Sequence, residues 1–276
     1  MKQFATVTVI GRDKTGVIAR VTNFLFEQHA NIEALEEQVT RGQFSMTLQA
    51  SWKRGALKTE ALRSGLETLA RALGMEIKLR LTDPKQRQRF AIMVTKETHC
   101  FDALLAAKLT AEPALVIGNH AEFAPRAKKH RLPFVQLDWH DRAKSENTAL
   151  NLLEEHEIDF IVLARFMKIL SPNFVWRHKN KIINIHPSLL PAFPGANAYR
   201  QAYEKGVKIV GVTCHFVTPN LDEGPIIAQE ALSVRSDESL ASIVKRGQAL
   251  ETKCVLRAVN AYLTKRLDVH WGRVYS

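Results

Sequence analysis

The sequence has 276 residues, 46% hydrophobic and 24% charged, so it is long enough for two unequal domains and too evenly composed for a disordered or repetitive protein. No apolar run approaches the roughly 18 residues of a membrane span and no signal-peptide core follows Met1, so we expect a cytoplasmic protein that does not bind a membrane. The net charge of +11 admits nucleic acid, a membrane surface or an anionic small molecule as partner. The basic residues are scattered and lack a nucleic-acid reader motif, which favours the small molecule over nucleic acid.

The N-terminal part of the sequence alternates between strand-like and helix-like hydrophobic patterns. The predicted order is strand, helix, strand, strand, helix, strand, over residues 4–10, 17–25, 32–39, 44–50, 62–73 and 75–81. This βαββαβ order is that of ferredoxin-like domains, in which two helices cover one face of an antiparallel sheet.

Two short strings in this part carry a resemblance. Residues 13–17 (DKTGV) and 30–32 (ANI) are similar to the ACT domain, a module that commonly binds small amino acids. The resemblance implies a regulatory site for an amino-acid effector at Asp13, Gly16 and Asn31. The residues alone leave a second interpretation open, in which Asp13 caps the helix and Gly16 permits the turn.

A polar segment with a proline, residues 83–89 (DPKQRQR), separates the two parts and is typical of a linker. We therefore predict an ACT-like domain over residues 1–83, a linker over 84–89 and a second domain over 90–276.

The second domain is predicted to be α/β. Short apolar runs alternate with helical patterns, and the predicted strands are 90–94, 114–117, 134–137, 160–164 and 182–185. Continuous apolar strands between helices indicate a doubly wound, mostly parallel sheet, which binds ligands at the carboxyl ends of its strands. Two further strands, 208–217 and 225–233, precede a long basic amphipathic helix that we expect to cover the sheet or to contact a partner subunit.

The most informative residues follow the strand at 182–185. Side chains two positions apart on a strand lie on the same face, so Asn184 and His186 can point into one cleft. An Asn amide can donate to a developing oxyanion, and His can take and return a proton near neutral pH, a combination that suits acyl transfer. Taken alone, one Asn and one His at the end of a strand are more often structural.

Three ordered segments resolve this ambiguity. Residues 162–172 (VLARFMKILSP), 183–191 (INIHPSLLP) and 215–229 (HFVTPNLDEGPIIAQ) together resemble the folate-dependent formyltransferase superfamily. The resemblance implies a metal-independent catalytic group of Asn184, His186 and Asp222, with no permanently bound cofactor. It also implies a folate site formed by Phe166, Met167, Lys168, Ile169, Leu170, Val217, Thr218 and Leu221.

The superfamily leaves the formyl acceptor open, and the turn at 94–100 (VTKETHC) bears on it. Transferases that act on a nucleotide amine have a glycine-rich turn here, which binds phosphate at a helix N-terminus. Lys96, Glu97 and His99 are instead similar to the formyltetrahydrofolate deformylases, which also carry an ACT domain. The implied reaction is hydrolysis of 10-formyltetrahydrofolate to formate and tetrahydrofolate.

Two alternatives stay open. Residues 187–190 (PSLL) are closer to the transferase pattern, so a formyltransferase to a small amine, of the glycinamide ribonucleotide type, is the second hypothesis. A folate-binding sensor without turnover is the third. For any of them we expect a homo-oligomer, a dimer or tetramer.

Overall fold

The computed structural model describes residues 2–40, 42–82, 86–264, 267–270 and 272–275. The chain divides into two compact units, residues 1–86 and 87–276, hereafter the N-terminal and C-terminal units. Within the ranges that are described, no helix is both long and apolar enough to cross a membrane. Residue 83 of the predicted ACT-like domain and residues 84 and 85 of the predicted linker lie outside the described residues, and Arg89, which we placed in that linker, is the first residue of a strand.

The N-terminal unit is a four-stranded antiparallel sheet with two helices, which confirms the predicted ferredoxin-like plan. Its elements are β1 (Gln3–Arg12), α1 (Val17–Glu27), β2 (Asn31–Thr40), β3 (Gln43–Trp52), α2 (Thr59–Leu73) and β4 (Glu76–Thr82). The strand order is β2-β3-β1-β4. Alternate residues of β1, such as Val7 and Val9, are buried against Val21 of α1 and Leu66 of α2, so one face of the sheet carries the core.

The start of α1 differs from the capping interpretation given above. Gly16 is the N-cap residue and has a left-handed backbone, with φ of 82°. A glycine adopts this conformation without the strain that a side chain would cause. Asp13 lies three residues earlier and does not cap the helix, whereas the turn at Gly16 is as expected.

The C-terminal unit is built on a seven-stranded sheet in the order β11-β10-β9-β8-β5-β6-β7. Its strands are β5 (Arg89–Val94), β6 (Glu112–Gly118), β7 (Phe134–Gln136), β8 (Phe160–Ala164), β9 (Ile182–His186), β10 (Ile209–Phe216) and β11 (Ile226–Ser233). Its helices are α3 (His99–Ala106), α4 (Ala124–Lys129), α5 (Arg142–Glu155), α6 (Pro172–Arg177), α7 (Ala198–Glu204) and α8 (Leu240–Leu263), with a 3-10 turn at Ala121–Phe123. The short strands β12 (Asp268–His270) and β13 (Arg273–Tyr275) form a hairpin that the sequence patterns did not predict.

Five of the seven strands are parallel, whereas β10 pairs antiparallel with β9, and β11 pairs antiparallel with β10. The chain passes from β5 to β6 and β7 on one side, then returns to β8 and β9 on the other. The strand order therefore reverses between β5 and β8, and the crevice at their carboxyl ends is where an α/β sheet of this kind binds ligands. The long helix α8 packs against β9, β10, β11 and α3, as the prediction of a covering helix required.

Candidate active site

The strand β9 delivers two polar side chains to the carboxyl edge of the sheet. Asn184 and His186 are the third and fifth residues of β9, and β10 pairs beside them, so that Thr213 lies opposite His186 and His215 opposite Asn184. The His186 side chain is almost fully buried, at 6% exposure, and Asn184 is partly buried.

Both ring nitrogens of His186 face oxygen atoms. Nδ1 lies 3.4 Å from Oδ2 of Asp222, and Nε2 lies 3.0 Å from the backbone carbonyl of Phe193. A protonated imidazole therefore finds an acceptor for each of its two N–H groups, and the carboxylate of Asp222 is the charged one. The two contacts fix the orientation of the ring, as is required of a group that stabilises negative charge on a reacting oxygen.

Asp222 lies in the loop between β10 and β11 and is held from several sides. Its backbone is left-handed, with φ of 56°, and its side chain is 6% exposed. The Gly195 N–H donates to Oδ2 at 2.8 Å, and Nε2 of His215 lies 3.7 Å from Oδ1. A non-glycine residue in this conformation is strained and commonly marks a functional position.

His215 completes this group, although sequence reasoning passed over it. Its Nδ1 lies 2.9 Å from the Phe216 carbonyl, and its Nε2 lies 3.1 Å from the amide nitrogen of Asn184. Burial lowers the pKa of His215 from its ordinary value of 6.5, so the ring is neutral near pH 7. With its proton on Nδ1, Nε2 accepts one N–H of Asn184, which orients the amide and leaves its second N–H for a ligand.

The eight residues predicted to bind folate fall into two groups. Phe166 and Leu170 are each 6% exposed and belong to the core of the C-terminal unit, where the ring of Phe166 packs edge-on against Trp139, with centroids 5.0 Å apart. Large apolar side chains of the second group are exposed, at 56% for Met167 and 59% for Ile169. Leu221 is also exposed, whereas Lys168, Val217 and Thr218 are partly buried.

The predicted acceptor-side turn carries Glu97 and His99 onto α8. Oε2 of Glu97 accepts from the Gln248 side chain at 3.1 Å, and Nε2 of His99 lies 2.9 Å from Oε2 of Glu251. Lys96, the third residue named for this turn, is exposed. Two of the three side chains named for this turn are therefore held by polar contacts with α8.

His99, Cys100 and Glu251 place possible metal ligands within 4.8 Å of one another. However, Glu251 already accepts from the Tyr199 hydroxyl at 3.0 Å and lies 3.4 Å from Nε of Arg165. Burial raises the pKa of Cys100, so its sulfur remains a protonated thiol near neutral pH. The Arg165 guanidinium and the Tyr199 hydroxyl thus both contact Glu251, an environment that suits an ion-paired glutamate better than a metal ligand.

The residues predicted to bind an effector lie on the N-terminal unit. Asp13 and Gly16 line a surface depression of about 490 Å³, together with residues 14, 15 and 17–19, Glu37, Val39 and Phe44. Asn31 begins β2 and is exposed, and it is not among the residues that line this depression.

Two family profiles match the chain. The profile described as Formyl transferase matches residues 88–259, and the profile described as ACT domain matches residues 3–80. The formyltetrahydrofolate deformylase of Bacillus subtilis (strain 168) is 39% identical over 94% of this chain and 88% of that protein. The formyltetrahydrofolate deformylase of Escherichia coli (strain K12) is 37% identical over 95% of this chain and 94% of that protein.

The comparison with solved structures agrees with these sequence matches. The crystal structure of a formyltetrahydrofolate deformylase from Pseudomonas syringae pv. tomato str. DC3000 superposes with a TM-score of 0.67 at 31% identity, and it covers 100% of this chain and 94% of that chain. A glycinamide ribonucleotide transformylase 1 from Symbiobacterium toebii has a TM-score of 0.66 at 31% identity, but covers 68% of this chain and 93% of that chain. The deformylase structure thus matches the whole chain, and the transformylase matches only part of it.

Proposed function

Because the chain belongs to the formyltetrahydrofolate deformylase family, we propose that it converts 10-formyltetrahydrofolate and water into formate and tetrahydrofolate without a metal. The family resemblance seen in the sequence is confirmed, and so is the combination of an ACT-like and a formyltransferase-like fold. The observation that carries the proposal is the buried group of Asn184, His186 and Asp222, held by His215 and the Phe193–Gly195 loop.

In the proposed reaction the oxygen of water attacks the formyl carbon. The amide N–H of Asn184 that His215 leaves unused donates to the formyl oxygen, and the imidazolium of His186 stabilises the same oxyanion. Asp222 accepts a proton from the attacking water and returns one to the departing folate nitrogen. The bond between that nitrogen and the formyl carbon then breaks, and formate leaves as the second proton of water passes to solvent.

Water is the proposed acceptor because the turn before α3 has no glycine and carries the side chains of Glu97 and His99. Glu97 contacts Gln248 of α8, and His99 contacts Glu251. A nucleotide substrate would instead need backbone N–H groups in this turn that are open to its phosphate. Met167, Ile169 and Leu221, which are exposed, supply apolar surface for the pterin, and Lys168 faces the glutamate tail.

The proposed reaction requires 10-formyltetrahydrofolate as its substrate and no permanently bound cofactor. An amino-acid effector binds the depression beside Asp13 and Gly16 in the N-terminal unit, and the protein acts in the cytoplasm as a homo-oligomer, a dimer or tetramer, without a nucleic-acid or membrane partner.

Formate release from 10-formyltetrahydrofolate by the pure protein, with no amine added, tests this function. Asp222→Asn keeps the side-chain shape and tolerates the left-handed backbone, so we expect folate binding to persist while formate release falls by about a thousandfold. Glu223→Gln changes the exposed neighbouring carboxylate and should leave the rate unchanged.

Other outcomes separate the alternatives. If the wild-type protein releases no formate in water but transfers the formyl group to glycinamide ribonucleotide, it is a transferase. If it binds the folate but neither releases formate nor transfers the formyl group, the sensor hypothesis is supported.

A further inference from the structure

Glu251 is a buried carboxylate to which the proposed mechanism gives no chemical step. It lies in the middle of α8 with no exposed surface. Its oxygens contact three segments: Nε2 of His99 at 2.9 Å, the Tyr199 hydroxyl at 3.0 Å and Nε of Arg165 at 3.4 Å. Burying a carboxyl group is unfavourable unless it is paired and hydrogen-bonded, and these contacts provide the partners inside the fold.

The contact with Tyr199 depends on a socket in α8. Gly247 lies one helical turn before Glu251, and a Cβ atom at residue 247 would be 2.2 Å from the Tyr199 hydroxyl oxygen. Only glycine therefore lets the ring approach the helix closely enough to reach the carboxylate. Burial raises the pKa of Tyr199, with Glu251 adding to the effect, so the hydroxyl keeps its proton and always donates.

Tyr199 is the second residue of α7, directly after the loop of residues 191–197. This loop provides the Phe193 carbonyl that lies 3.0 Å from Nε2 of His186, and the Gly195 N–H that donates to Asp222 at 2.8 Å. Five of its seven residues are exposed, and Phe193 and Gly195 are only partly buried. Phe193 packs against the core, and the side chains of Ser188 and Gln201 donate to carbonyls within the loop, so the start of α7 is one of a small number of anchors.

We propose that Glu251 is a positioning residue for the hydrolytic reaction. By accepting the Tyr199 hydroxyl in the socket beside Gly247, it fixes the start of α7 and the 191–197 loop, which in turn orients His186 and Asp222. Glu251 also contacts His99, which follows β5, and Arg165, which follows β8. The same carboxylate therefore connects the segments that follow the two strands beside the crevice. The inference rests on the proposed function, since it assigns a role within that reaction.

Tyr199→Phe removes the hydroxyl and keeps the ring. We expect kcat for formate release to fall by about tenfold while KM for the folate changes by less than about twofold. The loop contacts His186 and Asp222 directly, whereas Met167 and Ile169, which are proposed to bind the pterin, belong to another segment. Tyr203→Phe is the matched control: Tyr203 is one turn further along α7 and 45% exposed, so its kinetics should be those of the wild type. Glu251→Gln retains an acceptor oxygen for the hydroxyl and should keep more activity than Glu251→Ala.

Amide hydrogen exchange of residues 191–197, measured by mass spectrometry on the full chain, tests whether the Tyr199 hydroxyl holds this loop. The measurement does not depend on turnover. Exchange should be about tenfold faster in Tyr199→Phe than in Tyr203→Phe, with the strands of the C-terminal unit unchanged. Equal exchange in the two variants overturns the inference, as does faster exchange with unchanged kcat. A parallel loss of kcat and folate binding, with faster exchange throughout the unit, would show a purely structural role and would also overturn it. Absence of formate release by the wild type refutes the proposed function instead, while the exchange comparison still decides whether Tyr199 holds the loop.

Discussion

At the scale of single residues, the group that we propose to be catalytic can be selected from the sequence through its resemblance to a superfamily, whereas the residues that contact and support it cannot. Asn184, His186 and Asp222 stand in strings that are specific enough to recognise. His215 was in one of those strings, but only the pairing of β10 with β9 places it opposite Asn184. Glu251 reads as one more charged residue of a basic helix, because helical periodicity does not predict the burial of a carboxylate that is paired by distant segments.

The burial of His215 predicts a pH-dependent stability. The folded state holds its imidazole neutral, whereas the unfolded chain binds a proton below its ordinary pKa of 6.5. The unfolded state then carries more protons, so the free energy of unfolding should fall as the pH drops below about 6.5, by up to about 1.4 kcal/mol per pH unit. Urea unfolding at about pH 5, 6 and 7 measures this slope.

His215→Gln removes the titrating group and should make the free energy of unfolding less dependent on pH over this range. His130→Gln changes an exposed histidine and should preserve the wild-type slope. Equal slopes in the wild type and in His215→Gln would show that another group causes the pH dependence.

At the scale of secondary-structure elements, prediction succeeded where burial is uniform and failed where polar contacts decide. The strands β5 and β8 are continuous apolar runs and were predicted nearly to the residue. The helix α5 begins at Arg142 with polar turns, so hydrophobic periodicity does not mark where it starts. Asp141 caps it by accepting from the Lys144 N–H at 3.0 Å, a signal that hydrophobic periodicity does not contain.

The connection between β10 and β11, which carries Asp222, closes tightly at Gly224. A Cβ atom at that position would lie 1.6 Å from the Phe216 carbonyl oxygen, and the Phe216 N–H bonds to the Pro225 carbonyl at 2.9 Å. The backbone of the connection must move to accept a side chain. We therefore expect Gly224→Ala to lower the free energy of unfolding by about 3 kcal/mol and to abolish formate release, measured by urea unfolding and by turnover.

Glu223→Ala is the control for this prediction, since residue 223 is exposed in the same connection. It should change stability by less than about 0.5 kcal/mol. A stable and active Gly224→Ala variant would mean that the connection relaxes freely and does not fix Asp222.

At the scale of the whole molecule, the length predicted two domains and the composition gives a net positive charge, but neither identifies the function of that charge. The excess of 39 Lys and Arg over 28 Asp and Glu gives +11, and the proposed substrate carries carboxylates on its glutamate tail. A protein with a strong net charge raises the local concentration of ligands of opposite sign. The attraction acts on encounter, so it should appear in kcat/KM and not in kcat.

Salt should therefore weaken catalysis at low substrate concentration. Raising the ionic strength from about 0.02 M to about 0.3 M should lower kcat/KM for formate release by about threefold, because screening shortens the reach of the field. The decrease should be larger for a 10-formyltetrahydrofolate with several glutamates than for the monoglutamate, since more negative charge is attracted. Steady-state kinetics with both substrates at each ionic strength measures the effect. The same salt dependence for both, or a loss confined to kcat, would assign the positive charge to something other than substrate capture.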